Sequence, residues 1–295
     1  MKTIAVIAHK KKTFGGGLGE LRQLLRGYGY ADPLWYEATN SRETAQFARN
    51  AVEAGAELLL VWGGDGTVQR CINAVVDFDV ELALLPAGTA NLLAMNLKIP
   101  LDLKSAVEVA IHGKVRPLDV GVLNGKCFAV MAGVGFDAVI MKKADGNAKD
   151  RFGRLAYLWT GIQSMRVDAR WTEIRVDGRK WFTGEATCVL IGQMNSVARG
   201  VSVFPVSRPD DGLIEVGVVT AKNALQWASV LARMVVGKAH LSTLTQMTQG
   251  REIDIVLDRP TLYELDGGAR KARKSFEVKV RPDAIKVRIP RASSR

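Results

Sequence analysis

At 295 residues, with 47% hydrophobic side chains and no apolar run as long as a membrane span, the chain exceeds one typical domain and can bury two cores. A formal charge of +11 calls for an anionic partner, while Cys71, Cys127 and Cys188, an odd and scattered set, argue against a disulfide framework or a zinc site. The start, Met1-Lys2-Thr3-Ile4, runs directly into a strand without a signal-peptide pattern, so a cytoplasmic protein is expected.

In chain order, Thr3 to Ala8 reads as a short strand and Leu18 to Arg26 as a helix, with Gly15-Gly16-Gly17-Leu18-Gly19 between them. Glu20 stands where a dinucleotide GxGxxG would need glycine, so this loop is at best a phosphate-side element beside Lys10-Lys11-Lys12. Thr44 to Ala54 predicts a second helix ending at Gly55. The apolar run Leu58 to Trp62 then opens into Gly63-Gly64-Asp65-Gly66-Thr67, behind which Val68, Cys71, Ile72, Val75 and Val76 recur at helical spacing. Strand, glycine loop and helix N-terminus together suit a phosphate, because glycines admit backbone N–H groups to a polyanion and the helix dipole favours its charge. Thr67 can donate a hydroxyl, and Asp65 suits a metal or a proton. Asp65-Gly66 is also a hairpin-turn signal, but the 3.6-residue period that follows it argues against a hairpin. No Gly-Lys-Ser or Gly-Lys-Thr occurs, which excludes a lysine-bearing P-loop. Leu82 to Leu85 is a further strand, ending in Pro86-Ala87-Gly88-Thr89-Ala90-Asn91. The rhythm predicts a parallel sheet with right-handed crossovers, whose ligands sit at the carboxyl ends of the strands.

From about Leu118 the texture changes. Val120 to Val122, Cys127 to Ala132, Glu173 to Val176, Thr187 to Ile191, Leu213 to Val219, Glu252 to Leu257, Phe276 to Val280 and Ile285 to Ile289 are strand-like and separated by turns such as Asp177-Gly178, which predicts an antiparallel sandwich. Two helices interrupt it, Phe152 to Met165 and Asn223 to Val236, the latter with Trp227, Leu231 and Val235 expected in the core. The basic groups Lys142-Lys143, Lys149/Arg151/Arg154 and Arg270, Lys271, Arg273 and Lys274 read as solvated loops. No helix-turn-helix, zinc-finger or aromatic-basic RNA signature accompanies them, which argues against nucleic acid. His9, His112 and His240 form neither a metal cluster nor a triad.

With these residues in place, the chain resembles the diacylglycerol kinase catalytic-domain family, which includes bacterial lipid kinases and sphingosine kinases. The resemblance rests on Gly63-Gly64-Asp65-Gly66-Thr67, Leu85-Pro86-Ala87-Gly88-Thr89-Ala90-Asn91, Gly133-Val134-Gly135-Phe136-Asp137-Ala138, Asp210-Asp211-Gly212-Leu213 and Leu265-Asp266-Gly267, five motifs in the family's order. It implies an α/β fold: an N-terminal Rossmann-like nucleotide domain over residues 1–118, which the segment 282–295 can rejoin, followed by a C-terminal antiparallel β-sandwich domain over 119–281. It also implies ATP in the cleft between them. Carried over, the cofactor-binding residues are Gly63, Gly64, Asp65, Gly66, Thr67, Gly88, Thr89 and Asn91, with Thr39 a weaker candidate. Asp211 with the carbonyls of Arg208 and Leu213 matches the family's structural magnesium site; on its own residues the segment is equally a plain Asp-Gly turn.

The chain departs from the family where chemistry is expected. The acid after Gly-Thr-x-Asn is Leu92, and the Asp-Gly-Glu whose Glu acts as base ends in Gly268. Asp65 and Asp266 remain as candidate catalytic carboxylates, with Glu264 and Asp137 near enough to substitute. His9 to Thr13 replaces the family's Asn-Pro-x-Ser-Gly. The expected activity is that of an ATP- and magnesium-dependent lipid kinase acting on diacylglycerol or a similar lipid alcohol, peripherally associated with an anionic membrane. The alternatives are a catalytically weak nucleotide-binding regulator at such membranes and an NAD kinase-like enzyme. Oligomeric state stays open.

Overall fold

Alternation of buried strands with amphipathic helices builds the first of two compact units, Met1–Val120 with Pro282–Arg295; the second is Gly121–Arg281. The computed structural model describes residues 2–135, 168–198 and 201–291, so Asp137, the basic groups between 142 and 154 and the helix expected over Phe152 to Met165 lie outside the described residues.

In the first unit, β1 (Ile4–His9), α1 (Gly17–Gly27), β2 (Leu34–Ala38), α2 (Ser41–Glu53), β3 (Leu58–Gly63), α3 (Asp65–Val75), β4 (Glu81–Pro86), α4 (Leu92–Asn96) and α5 (Leu103–His112) follow in order. The parallel sheet runs β2-β1-β3-β4. Every residue of β3 is buried, as a central strand covered on both faces requires, which explains its unbroken apolar run. The fully buried Trp62 anchors the core and meets Phe14 edge-on at 5.7 Å between centroids. Strand β2 escapes prediction because it is a half-buried edge, its Trp35 lying beneath the Arg22 guanidinium at 3.7 Å. Helix α2 starts three residues before the expected Thr44, since Asn40 caps it by accepting from the N–H groups of Arg42 and Glu43.

The second unit contains the end of β5 (Lys114–Leu123), then β6 (Lys126–Phe128), β7 (Met131–Gly135), β8 (Arg170–Val176), β9 (Arg179–Ala186), β10 (Cys188–Gly192), β11 (Ser196–Ala198), β12 (Val201–Ser202), β13 (Ile214–Val219), α6 (Ala224–Val235), a 3-10 turn (Ala239–Leu241), β14 (Thr245–Gly250), β15 (Glu252–Leu265) and the first part of β16 (Gly268–Ile289). These strands form an antiparallel β-sandwich. The order β14-β13-β10-β7-β15-β16 is extended where β8 pairs with the first half of β15 and β9 with β8. Register shifts between Val256 and Tyr263 let β15 serve β8 with one half and β7 with the other. Phe128, Ile174, Ile191, Val216, Ile255 and Phe276 fill the core.

Three Asx-Gly pairs make the hairpin turns, with both residues at positive φ: Asn124-Gly125, Asp177-Gly178 and Asp266-Gly267. Asp65-Gly66 has the same letters and neither positive φ, because α3 begins there. Three expectations are corrected. The strands Phe276 to Val280 and Ile285 to Ile289 are one 22-residue strand, β16, and Arg270 to Lys274 lie in it rather than in a loop. On α6, Trp227 is 3% exposed as expected, but Val235 is 47% exposed and outside the core.

Candidate nucleotide and phosphotransfer site

The four parallel strands end together. His9 lies beside Ala38, Ala8 beside Trp62, and Gly63 beside Pro86, so the loops leaving β1, β2, β3 and β4 share one edge. Two of those loops touch backbone to backbone. A Cβ added at Gly88 would lie 2.3 Å from the Gly64 Cα and 2.6 Å from Asn91 Oδ1, and one at Gly63 would lie 2.4 Å from the Thr67 Cβ. At Gly66 a Cβ would meet nothing within 4 Å. The glycines thus divide their work: Gly63, Gly64 and Gly88 are required by the chain packing on itself, and Gly66, on the first turn of α3, faces open space where an anion can approach.

Asp65 is not the exposed loop carboxylate that its motif suggests. Its Oδ1 accepts the Leu92 N–H at 2.5 Å, so it caps α4, and Leu92, buried where the family has an acid, supplies the donor. Burial pushes the Asp65 carboxyl above the usual range, opposed by the N–H groups of Leu92, Asn91 and Leu93. Asn91, at φ 49°, holds the neighbouring loop: its Oδ1 accepts the Gly88 N–H at 2.9 Å, and its amide donates to the carbonyls of Pro86 and Gly88. Thr67 is 7% exposed, against Gly63. Thr89 is exposed at the tip of the β4 loop. Thr39 is exposed too, but its hydroxyl donates to Glu43 at 2.8 Å, and its N–H is the main cause holding the Glu43 carboxyl below the usual range. Exposed Lys10, Lys11 and Lys12 leave β1 at this same edge, with the Trp62 indole donating to the Lys12 carbonyl at 3.0 Å.

In the second unit, Asp266 is 5% exposed and accepts three backbone N–H groups, from Ala129, Val130 and Met131, at 2.9 to 3.0 Å. That engagement makes it a clamp on the segment before β7, and it corrects the picture of Asp266 as an available base. Glu264 is buried and accepts the Gly267 N–H. Gly268 has ordinary φ, and a Cβ there would meet first the Arg270 guanidinium at 2.8 Å, a displaceable side-chain end.

Asp211 is exposed, and its Oδ1 accepts the Leu213 N–H at 3.1 Å; Arg208 is exposed and Leu213 half-buried in the same turn. Sequence reasoning passed over the nearby Glu215. It is 4% exposed, its Oε2 accepts the Ser207 hydroxyl at 2.8 Å, and its Oε1 has no hydrogen-bond partner among the described residues. Burial pushes its carboxyl up to about 7, with the Asp211 charge contributing. Among the described residues no three His, Cys, Asp or Glu side chains stand together as a metal set. A hard cation at this turn would therefore take carbonyl oxygens beside Asp211, and the unsatisfied Glu215 oxygen fits such a neighbour. The signal was present: Glu215 is the one acid inside the apolar strand β13.

Comparison with known proteins agrees with this arrangement. The family model described as the diacylglycerol kinase catalytic domain matches residues 6–123, and that described as the YegS C-terminal NAD kinase beta sandwich-like domain matches 130–289. A probable lipid kinase YegS-like protein of Cronobacter sakazakii is 28% identical over 285 residues, covering 91% of this chain and 89% of its own. The fold is that of a diacylglycerol kinase crystal structure from Bacillus anthracis, at TM-score 0.77 and 20% identity over 98% of this chain and 97% of that one. It is also similar to an NAD kinase of Archaeoglobus fulgidus in complex with ATP, at TM-score 0.58 and 9% identity over 97% and 93%.

The glycine division makes a paired prediction. Gly88→Ala forces the two loops apart and should cost about 2 kcal/mol or more of stability in urea unfolding, whereas Gly66→Ala should unfold like the wild type. If an anion approaches at Gly66, the Gly66→Ala protein will nevertheless bind ATP more weakly by calorimetry. At the other turn, Asp211→Ala should lower the melting temperature and remove its rise with added magnesium. A wild-type melting curve that ignores both magnesium and chelator would reduce Asp211 to a turn residue.

Proposed function

The chain belongs to the diacylglycerol kinase catalytic-domain family, with YegS-like lipid kinases as its relatives, and from that premise we propose that it transfers the γ-phosphate of magnesium-ATP to the hydroxyl of a membrane lipid, diacylglycerol or a similar alcohol, at an anionic membrane surface. Kinase membership brings nucleotide use with it. The observation that carries the reading is the shared strand edge, where the start of α3 opens at Gly66 beside the Thr89 loop and the three exposed lysines.

Phosphoryl transfer is mainly positioning and charge neutralisation, so what the protein supplies is a set of fixed donors. Backbone N–H groups at the start of α3, with the helix dipole behind them, would hold the phosphates, and Thr89 would donate from the β4 loop. Lys10 to Lys12 would add countercharge. Magnesium bound with the nucleotide supplies neutralisation of the phosphate oxygens. Asp65 would stand beside it while its Oδ1 holds α4 in place, which makes the carboxylate both positioned and positioning. No helix among the described residues is long and apolar enough to cross a membrane, so peripheral association is the mode proposed.

One observation favours a second reading. With Leu92 and Gly268 at two acidic positions of the family and Asp266 engaged by three N–H groups, general-base help is weak, and a nucleotide-binding regulator with little turnover fits that site.

Radiolabelled ATP incubated with diacylglycerol, with total lipid extract and with NAD separates the readings. Label in an organic-soluble product supports the lipid kinase, label in NADP supports an NAD kinase, and ATP binding without transfer supports the regulator. Asp65→Asn keeps an oxygen for the Leu92 N–H, so it should melt like the wild type while losing magnesium-ATP affinity and transfer; unchanged affinity and turnover would remove Asp65 from the site. Gly268→Glu should raise turnover toward the lipid without tightening ATP, by up to the roughly hundredfold or more that general-base assistance supplies. Wild-type turnover already at about 10 per second or above would show that no base is missing.

A further inference from the structure

Helix α6 is apolar on two opposite sides. Trp227, Val230 and Met234 face inward and are buried, whereas Leu225, Ser229, Ala232 and Val236 recur at helical spacing along the outer line with no charge among them. An ordinary surface helix turns charged residues to solvent. Here Leu225 is 83% exposed and Val236 64%, followed by Leu241 at 57% on the 3-10 turn, and Leu225 is the most exposed large apolar side chain among the described residues.

The chain segment that carries this face is basic. No acidic residue occurs between Glu215 and Glu252, while Lys222, Arg233, Lys238 and Arg251 fall in that interval. Lys222 pairs with Glu185 at the start of the helix; Arg233 donates to the Leu241 carbonyl, a neutral acceptor, which ties the 3-10 turn to the helix. Lys238 and His240 are exposed between Val236 and Leu241. An uncharged, largely apolar line over three turns, with Arg233 and Lys238 in the same basic segment, complements a surface that is apolar below and anionic above.

We propose that α6 and the 3-10 turn after it form the element by which this protein docks on anionic membranes, with Leu225, Val236 and Leu241 entering the acyl boundary and Arg233 and Lys238 against the headgroups. The proposal deepens the lipid-kinase reading and rests on it for the expectation of a membrane. Its physical basis, the face itself, is independent of catalysis.

The test is co-sedimentation of the full chain with phosphatidylcholine vesicles containing or lacking phosphatidylglycerol. Leu225→Ser with Val236→Ser replaces exposed side chains, so the double variant should melt like the wild type yet partition at least roughly tenfold less onto the anionic vesicles. Lys238→Glu should weaken binding only where phosphatidylglycerol is present. Both variants should phosphorylate a short-chain acceptor dispersed without vesicles as the wild type does, which separates lost docking from lost catalysis. If no form transfers phosphate to any lipid while binding still depends on Leu225 and Val236, the kinase reading falls and the docking element stands. Wild-type-like sedimentation of the double variant overturns the proposal, as does a wild-type dimer in light scattering that the double variant dissociates without change in vesicle binding.

Discussion

Backbone against backbone is the contact on which the nucleotide-side edge depends: Gly88 meets Gly64 with no space for a methyl group between them. The polar atoms nearby hold that contact in place. Asn91 bonds both sides of the β4 loop from a left-handed conformation, and Asp65 reaches from the start of α3 to the start of α4. Loops tied in this way are ordered before a ligand arrives, so little conformational entropy is lost on binding. The same ties explain why a small residue at one loop demands a small residue at the other.

The three aspartates that the motifs single out share a structural occupation. Asp65 accepts from Leu92, Asp266 from Ala129, Val130 and Met131, and Asp211 from Leu213. A carboxylate offers about four lone-pair sites, and backbone donors that occupy them fix the loop but compete with a metal or an acceptor hydroxyl. The competition is strongest at Asp266, which accepts from three N–H groups, whereas the exposed Asp211 accepts from Leu213. In this protein the acids of the motifs are therefore best understood as loop-setting groups.

Much of the architecture could be read from residues alone because the signals were physical ones. The unbroken run Leu58 to Trp62 announced a strand covered on both faces, and Asp177-Gly178 announced its hairpin. The failures are equally specific. Val235 carries the letter of a core residue but sits off the inward line of Trp227, Val230 and Met234. Arg270 to Lys274 look like a solvated loop, yet a long two-stranded ribbon can carry charges on both exposed faces. Whether a site carboxylate is free or already bonded is invisible in a motif, since the donors to Asp266 come from residues more than 130 positions away. Glu215, by contrast, stood in view as the one acid of an apolar strand, although its contact with Ser207 is a property of the fold.

Strand β16 gives the order of synthesis a structural role. Lys286 and Val287 pair in parallel with Glu81 and Leu82, so the far side of β4 receives its hydrogen-bonding neighbour from residues that follow the whole β-sandwich segment. While the ribosome is still translating the β-sandwich, every other strand of the parallel sheet has emerged, and β4 stands as an open edge. For that interval the nascent chain offers other chains a template for strand addition, and its protection depends on the speed of elongation or on a chaperone. Closure of the first unit thus waits on a segment made after the β-sandwich.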